Sequence, residues 1–425
     1  MKFAEMSKNE LQSMQQQFQK EYEGYKALGL KLNMSRGKPA PEQLDLSMGI
    51  FDILGKNDYT AADGTDVRNY GVLDGLEEAK KLFAPIFDMD ADNVIIGGSA
   101  SLNLMFDTVA RCMQNGALPG VTPWGKLDKV KFICLVPGYD RHFTICETFG
   151  IEMVSVPLLS DGPDMNMVEK LVAEDDAIKG MWCVPMYSNP TGITYSDSAV
   201  KRLAAMKTAA DDFRIFWDNA YGVHHLDKNN RDYLANIYQE CVAAGNSDRV
   251  YLFASTAKVT FAGGGISAMA SSPANIAYTK KLMNAQTICF DKINQLRHVR
   301  FFDNTEGLYA HMEKHAAILK PKFEAVLKTL DEHLTQLDCA HWEKPKGGYF
   351  ISVDTMDGCA KRVVALCKEA GVVLTGAGAT FPYGKDPRDR NIRIAPSYPP
   401  VDELVTAMKL FCLCIKIASV EKLLA

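Results

Sequence analysis

The sequence predicts an α/β protein built on a large, mostly parallel sheet covered on both faces by helices, with a smaller α+β domain beside it. Two observations carry that expectation. Between residues 94 and 256 short apolar runs alternate with stretches of helical periodicity. Strands separated by helices pair in parallel, because the chain must cross a face of the sheet before it returns in the same direction. After about residue 305 the texture changes to long helical patterns with isolated strands. The length, 425 residues, exceeds what one core usually organises.

Composition removes several classes. Hydrophobic residues make up 47% and charged residues 23%, the balance of an ordinary globular chain. A net charge of -5 argues against general binding to nucleic acid through phosphate contacts. No apolar run of 18 residues exists, so no membrane span is expected. The N-terminal stretch is polar, Gln-rich and helical in pattern, with no apolar signal core. The eleven cysteines show neither C-x-x-C pairs nor zinc spacing, and they read as buried thiols of a cytoplasmic protein.

The elements follow in order. Val94–Ile96 is a short strand ending in Gly97-Gly98-Ser99-Ala100-Ser101, with an amphipathic helix over Leu102–Met113. Val130–Tyr139 is a strand stopped at Pro137-Gly138, and Ile151–Leu158 alternates as another. Gly180–Met186 breaks into the turn formers Ser188-Asn189-Pro190-Thr191-Gly192, and Ser196 caps a helix expected to reach Asp212. Phe213–Tyr221 and Arg249–Thr256 complete the alternation. Beyond them a helix is expected over Gly307–Leu334, strands over Gly347–Asp354 and Asn391–Ser397, and helices around Ala360–Glu369 and from Val401 to about Ile417.

Polar groups stand at the strand ends, where α/β proteins place function. Gly98, Ser99 and Ala100 lie between a strand and a helix, and are either an ordinary Gly-rich turn or a place where backbone N–H groups donate to an anion. Tyr139 is either a surface tyrosine or a stacking platform. Asn189 ends an apolar strand abruptly. Asp218, with Tyr221 three residues on, is either a cap beside a packing tyrosine or a desolvated carboxylate in need of a cationic partner. Lys258 follows Ser255 and Thr256 and precedes Gly263-Gly264-Gly265; in isolation such a lysine is solvated, whereas in a cleft its pKa falls and it becomes a nucleophile. In this order the set contains the parts that hold pyridoxal 5'-phosphate: an anion nest, a ring platform, a partner for the pyridine nitrogen and a lysine to form the Schiff base.

The ordered motifs "YSNPTG", "WDNAYG", "STAK" and "NIRIAPS" resemble those of the fold-type I pyridoxal-phosphate enzymes, the class I aminotransferases. "SRGKPAPEQLDLS", "YGVLDGLEEAK" and "KVTFAGGGISA" are similar to a divergent subgroup of bacterial aspartate aminotransferases, and the resemblance runs from about Leu32 to about Phe411. It implies a seven-stranded large domain over 60–304 and a smaller domain formed by 1–59 and 305–425. Lys258 corresponds to the lysine that carries the cofactor and shuttles the proton, and Asp218 to the partner of the pyridine nitrogen. Tyr221 and Asn189 correspond to the pair on the phenolate oxygen, with Asn189 also touching the substrate carboxylate. Gly98, Ser99, Ala100 and Ser255 match phosphate positions, and Tyr139 matches the ring-stacking place. Tyr70 matches the tyrosine that reaches the neighbouring subunit's phosphate, which implies a homodimer. Arg393 matches the clamp on the substrate α-carboxylate, and Gly37 a glycine near the substrate.

One position departs. Where many members carry a phosphate-binding arginine eight residues after the lysine, this chain has Ile266. Arg297, Arg300 and Arg36 are the candidates for a distal carboxylate. The expected reaction passes the amine of an L-amino acid, aspartate first, to 2-oxoglutarate in two half-reactions; a β-lyase or decarboxylase starts from the same cofactor and stays open as an alternative. A regulatory aminotransferase-like domain is disfavoured, since about 30 residues precede "SRGKP", too few for a DNA-binding module.

Overall fold

The computed structural model describes residues 2–35 and 37–425. Its strands are β1 (Leu32–Asn33), β2 (Val94–Ile96), β3 (Lys131–Val136), β4 (Glu152–Leu159), β5 (Gly162–Pro163), β6 (Ile178–Cys183), β7 (Arg214–Asp218), β8 (Val250–Ser255), β9 (Ser267–Ala270), β10 (Ala340–Trp342), β11 (Ile351–Thr355), β12 (Val372–Val373) and β13 (Asn391–Ile394). Eight of them form one sheet in the order β2-β9-β8-β7-β6-β3-β4-β5. The strands β8, β7, β6, β3 and β4 run parallel, whereas β9 is antiparallel to both β2 and β8. The seven expected strands are therefore present, and the two-residue β5 adds an eighth at the edge.

Alternation along each central strand sends side chains to two separate cores. Ile133, Met181, Ile215, Trp217 and Leu252 pack on one face of the sheet. Phe132, Trp182, Phe216, Tyr251 and Phe253 pack on the other. Both faces are dry, as a parallel sheet between helical layers requires. A third core gathers the helices Lys8–Ala27, Thr305–Leu334 and Val401–Leu424 against β11 and β13.

Three sequence expectations are adjusted. The helix capped by Ser196 ends at Ala205, well before Asp212. There the Arg249 guanidinium donates to the carbonyls of Ala204 (2.9 Å) and Met206 (2.7 Å), satisfying the groups that another turn would have used. The last helix continues beyond Ile417 to Leu424, its final turn pinned by the bidentate Arg362–Glu421 pair. The strand expected from Gly347 begins at Ile351, because Gly348 has φ +82° and turns the chain before it. All eleven cysteines are free. Among the described residues no helix is long and apolar enough to cross a membrane.

Candidate active site

The C-terminal ends of β3, β6, β7 and β8 lie side by side, and the loops leaving them carry Tyr139, Asn189, Tyr221 and Lys258. Asp218 is the last residue of β7 and is buried. One carboxylate oxygen, Oδ2, accepts a hydrogen bond from His142 Nε2 at 3.1 Å. The other, Oδ1, is buried and has no partner among the described residues. A buried carboxylate oxygen is costly to leave unmatched, so a donor belongs there. His142 is itself fixed, stacked on Trp182 with ring centroids 4.4 Å apart and edge-on to Tyr139 at 5.0 Å.

Lys258 lies just beyond β8 and is half-buried. Burial pushes its pKa below the ordinary lysine value, and the Asp218 carboxylate opposes that shift. Its Nζ stands 5.1 Å from the centre of the Tyr221 ring. Behind it the Lys258 carbonyl accepts from the Tyr349 hydroxyl at 3.5 Å, and that hydroxyl accepts from Gln43 Nε2 at 3.0 Å. The Tyr221 hydroxyl is held well above the usual phenol range by burial, with Tyr139 and Asp218 adding to the effect, so it keeps its proton and can donate a hydrogen bond. Burial likewise pushes Tyr139 up to about 12, with Asp218 and Asp140 contributing.

Arg393, on β13, brings the C-terminal part of the chain to the same place. Its Nη1 donates to Asn189 Oδ1 at 3.2 Å and to Asp140 Oδ1 at 3.3 Å. Its Nε–H is buried and has no partner among the described residues, which leaves donor capacity for a planar anion. The guanidinium carbon lies 4.7 Å from the centre of the Phe350 ring. Gly37 packs on the same ring, where an added Cβ would come within 2.5 Å of Phe350 Cζ. Gly37→Ala is therefore expected to push the ring against Arg393, raising KM for the amino acid by up to about tenfold. Steady-state kinetics check this, and an unchanged KM in a folded variant would separate Phe350 from the substrate.

At the other end, Ser267 in β9 ties two loops together. Its N–H and hydroxyl both donate to the Gly98 carbonyl, at 2.7 and 2.8 Å, and it pairs in register with Ser255. Gly98 is half-buried, with open space where a side chain would project, and Ser99 is exposed. The helix Ser101–Asn115 is preceded by Ala100 and has no side-chain cap. Asn103 N–H donates to the Ala100 carbonyl at 3.1 Å, and among the described residues no side chain occupies the N–H groups of Ser101 and Leu102, the place where a helix start receives an anion. Gly265 is required here, since a Cβ would lie 2.9 Å from Ala257 N and 3.1 Å from the Ser99 carbonyl. Ile266 is buried in the core and offers no charge to that anion position.

Among the residues singled out from the sequence, Asp218, Tyr221, Lys258, Asn189, Tyr139, Arg393 and Gly37 come together, with Gly98, Ser99, Ala100 and Ser255 at one end. Tyr70 stands apart, 80% exposed. Arg297 is half-buried on the helix Lys292–Phe302, with its Nε lacking a partner. That helix reaches the lysine loop through Asn294, which donates to the carbonyls of Gly264 and Gly265. Arg300 is occupied by Glu78 at 2.9 Å. Arg36 lies outside the described residues. Sequence reasoning missed His142 and Phe350. His142 was within reach of it, being three residues after Tyr139 and hence one turn into the following helix.

The family model described as aspartate amino-transferase matches residues 6–425. A putative aminotransferase of Mycolicibacterium smegmatis is 46% identical over 426 residues, covering 100% of this chain and 99% of its own. An aspartate aminotransferase of Corynebacterium glutamicum is 47% identical over 402 residues, covering 95% of this chain and 93% of its own. The crystal structure of an aspartate transaminase from Corynebacterium glutamicum superposes with a TM-score of 0.97 at 44% identity, over 99% of both chains. Strand-end site, fold and similarity along the whole chain agree: it belongs to the aspartate aminotransferase family, and it is an aminotransferase.

Proposed function

We propose that the chain transfers the amino group of L-aspartate to 2-oxoglutarate in two alternating half-reactions, using pyridoxal 5'-phosphate, as a cytoplasmic homodimer. The observation that carries the reading is the Oδ1 of Asp218, which has no partner among the described residues, on a carboxylate backed by His142 and near enough to Lys258 to oppose its pKa shift. A protonated pyridine nitrogen is the donor that such an oxygen suits. When bound, the cofactor supplies an electron sink for the bonds at the substrate Cα.

The protein's own groups do the rest. Lys258 Nζ, kept neutral more readily by burial, holds the cofactor and then moves the proton at the substrate Cα. With the cofactor bound, Tyr221 and the Asn189 side chain would donate to its ring oxygen, and Tyr139 would supply the stacking platform. Gly98, Ser99, Ala100 and Ser255 receive the phosphate. Arg393 clamps the α-carboxylate as a planar fork and orients the Cα–H bond. Residues 60–304 form the cofactor-binding domain, and residues 1–59 with 305–425 form the smaller domain that closes over the substrate and excludes water. The 80% exposure of Tyr70 supports a role in a neighbouring copy.

Aspartate is favoured by the names of the similar proteins and by the unpartnered Nε of Arg297, which suits a second carboxylate. A charged hydrogen bond in a buried site discriminates by about tenfold to a hundredfold. The kcat/KM for aspartate should exceed that for alanine, leucine and phenylalanine by that margin. Arg393→Lys should lower kcat/KM for every donor alike, because it keeps the charge and loses the fork. Arg297→Ala should lower it only for aspartate and glutamate. Equal kcat/KM for aspartate and phenylalanine would remove the dicarboxylate assignment and leave the transaminase standing.

A further inference from the structure

Tyr70 sits on a turn that its own chain holds firmly, while its side chain is left exposed and has no hydrogen bond among the described residues. Gly71 has φ +102° and Val72 φ +60°, a left-handed conformation that a β-branched residue adopts only when its surroundings impose it. Downstream, Asp74 is held by Lys280 at 2.6 Å and Lys80 at 3.2 Å, and Leu76 N–H donates to Gln295 Oε1 at 2.8 Å. Upstream the anchor is Lys292, the first residue of the helix Lys292–Phe302, which is only 2% exposed. Its ammonium donates to the carbonyls of Asn69 at 2.7 Å and Gly71 at 2.6 Å, the two residues that flank Tyr70. Among the described residues Lys292 has no ion pair. A buried ammonium held by two neutral carbonyls, with the Asp66 carboxylate near enough to feel its charge but not in ion-pair contact, is an expensive way to hold a surface turn. Its selection makes sense where the direction of the side chain between those carbonyls matters.

We propose that Lys292 is a positioning residue: it clamps the Asn69–Gly71 turn and so aims Tyr70 out of its own chain, into the phosphate end of the site on a second copy of this chain. The inference rests on the homodimer reading above. It gives a role to two features that reading leaves unexplained, the left-handed Val72 and the buried ammonium.

Hybrid dimers test it, because a clamp of this kind acts in the other subunit's site. In each hybrid one chain carries Lys258→Ala, so that only one site retains the lysine. Pyridoxal phosphate is titrated, and the fraction that borohydride fixes to the protein is measured. In the first hybrid Lys292→Met accompanies Lys258→Ala on one chain, and the other chain is native. The cofactor concentration for half-fixation should rise about tenfold, the loss expected when a hydrogen bond to a charged group is misaimed. In the second hybrid Lys292→Met is on the chain that keeps Lys258, and half-fixation should match the hybrid without Lys292→Met. Adding Tyr70→Phe to the Lys292→Met chain of the first hybrid should add little, since coupled residues are non-additive. Lys292→Arg, which keeps the charge and two donors, should restore the native value and guards against a Met variant that folds poorly. A loss that follows the chain carrying Lys292→Met into the second hybrid, or full additivity with Tyr70→Phe, overturns the proposal. A normal first hybrid together with a weakened Tyr70→Phe homodimer removes the clamp alone. A silent Tyr70→Phe homodimer, or a chain that is monomeric at assay concentration, removes the dimer reading as well.

Discussion

Lys258→Ala is expected to slow transamination by several orders of magnitude. The general-base share alone is worth about 10²–10⁴-fold, and loss of the covalent link adds to it. The structure gives the reason for this lysine above the others in the chain. It leaves β8 beside Asp218, its ammonium stands over Tyr221, and its carbonyl is tied through Tyr349 to Gln43. Lys258→Arg should be as inactive, because a guanidinium stays protonated and cannot act as a nucleophile. The lowered pKa has a sign that can be checked. Burial favours the neutral amine, so capture of pyridoxal phosphate by the apoprotein should persist to lower pH than capture by an exposed lysine. Between the depressed folded pKa and the unfolded value the unfolded chain binds more protons at this position, so its contribution to stability improves as pH rises. Borohydride followed by peptide mapping locates the adduct, and label on a different lysine would remove the assignment.

Asp218→Ala should lower kcat by about 10²–10³-fold with cofactor still bound, the usual loss when one preorganised charged group is taken from a buried site. The carboxylate is buried, one oxygen is held by His142, and the other has no partner among the described residues. In such a place it stabilises a protonated ring nitrogen far more than it would in water. Asp218→Asn keeps the shape and loses the charge, so it should be nearly as impaired. His142→Ala acts through Asp218 and should be milder, with a shift in the cofactor's absorbance that follows the ring nitrogen's protonation. Near-normal single-turnover rates in Asp218→Ala would make the aspartate a structural residue only.

The large sheet and the strand-end site were legible because apolar strands and turn formers mark each other's limits. Met181–Cys183 running into Ser188–Gly192, and Arg214–Asp218 running into Tyr221, place Asn189 and Asp218 at the same edge of the sheet. β9 was not marked by periodicity, because Ser267, Ala268, Met269 and Ala270 are all buried and show no alternation. The early end of the helix at Ala205 depends on Arg249, 44 positions later, and local propensity carries no such information. Phe350 was invisible for the same reason. Its importance comes from Gly37 and Arg393, which are distant in sequence and meet only on its ring.

The central claim, amino transfer from aspartate, is tested most directly with ¹⁵N-aspartate and 2-oxoglutarate on the cofactor-loaded protein. ¹⁵N-glutamate and oxaloacetate are expected in equal amounts, with no oxaloacetate beyond one equivalent per site when the acceptor is omitted. Release of the label as ammonia, or steady formation of pyruvate or alanine without acceptor, would contradict it.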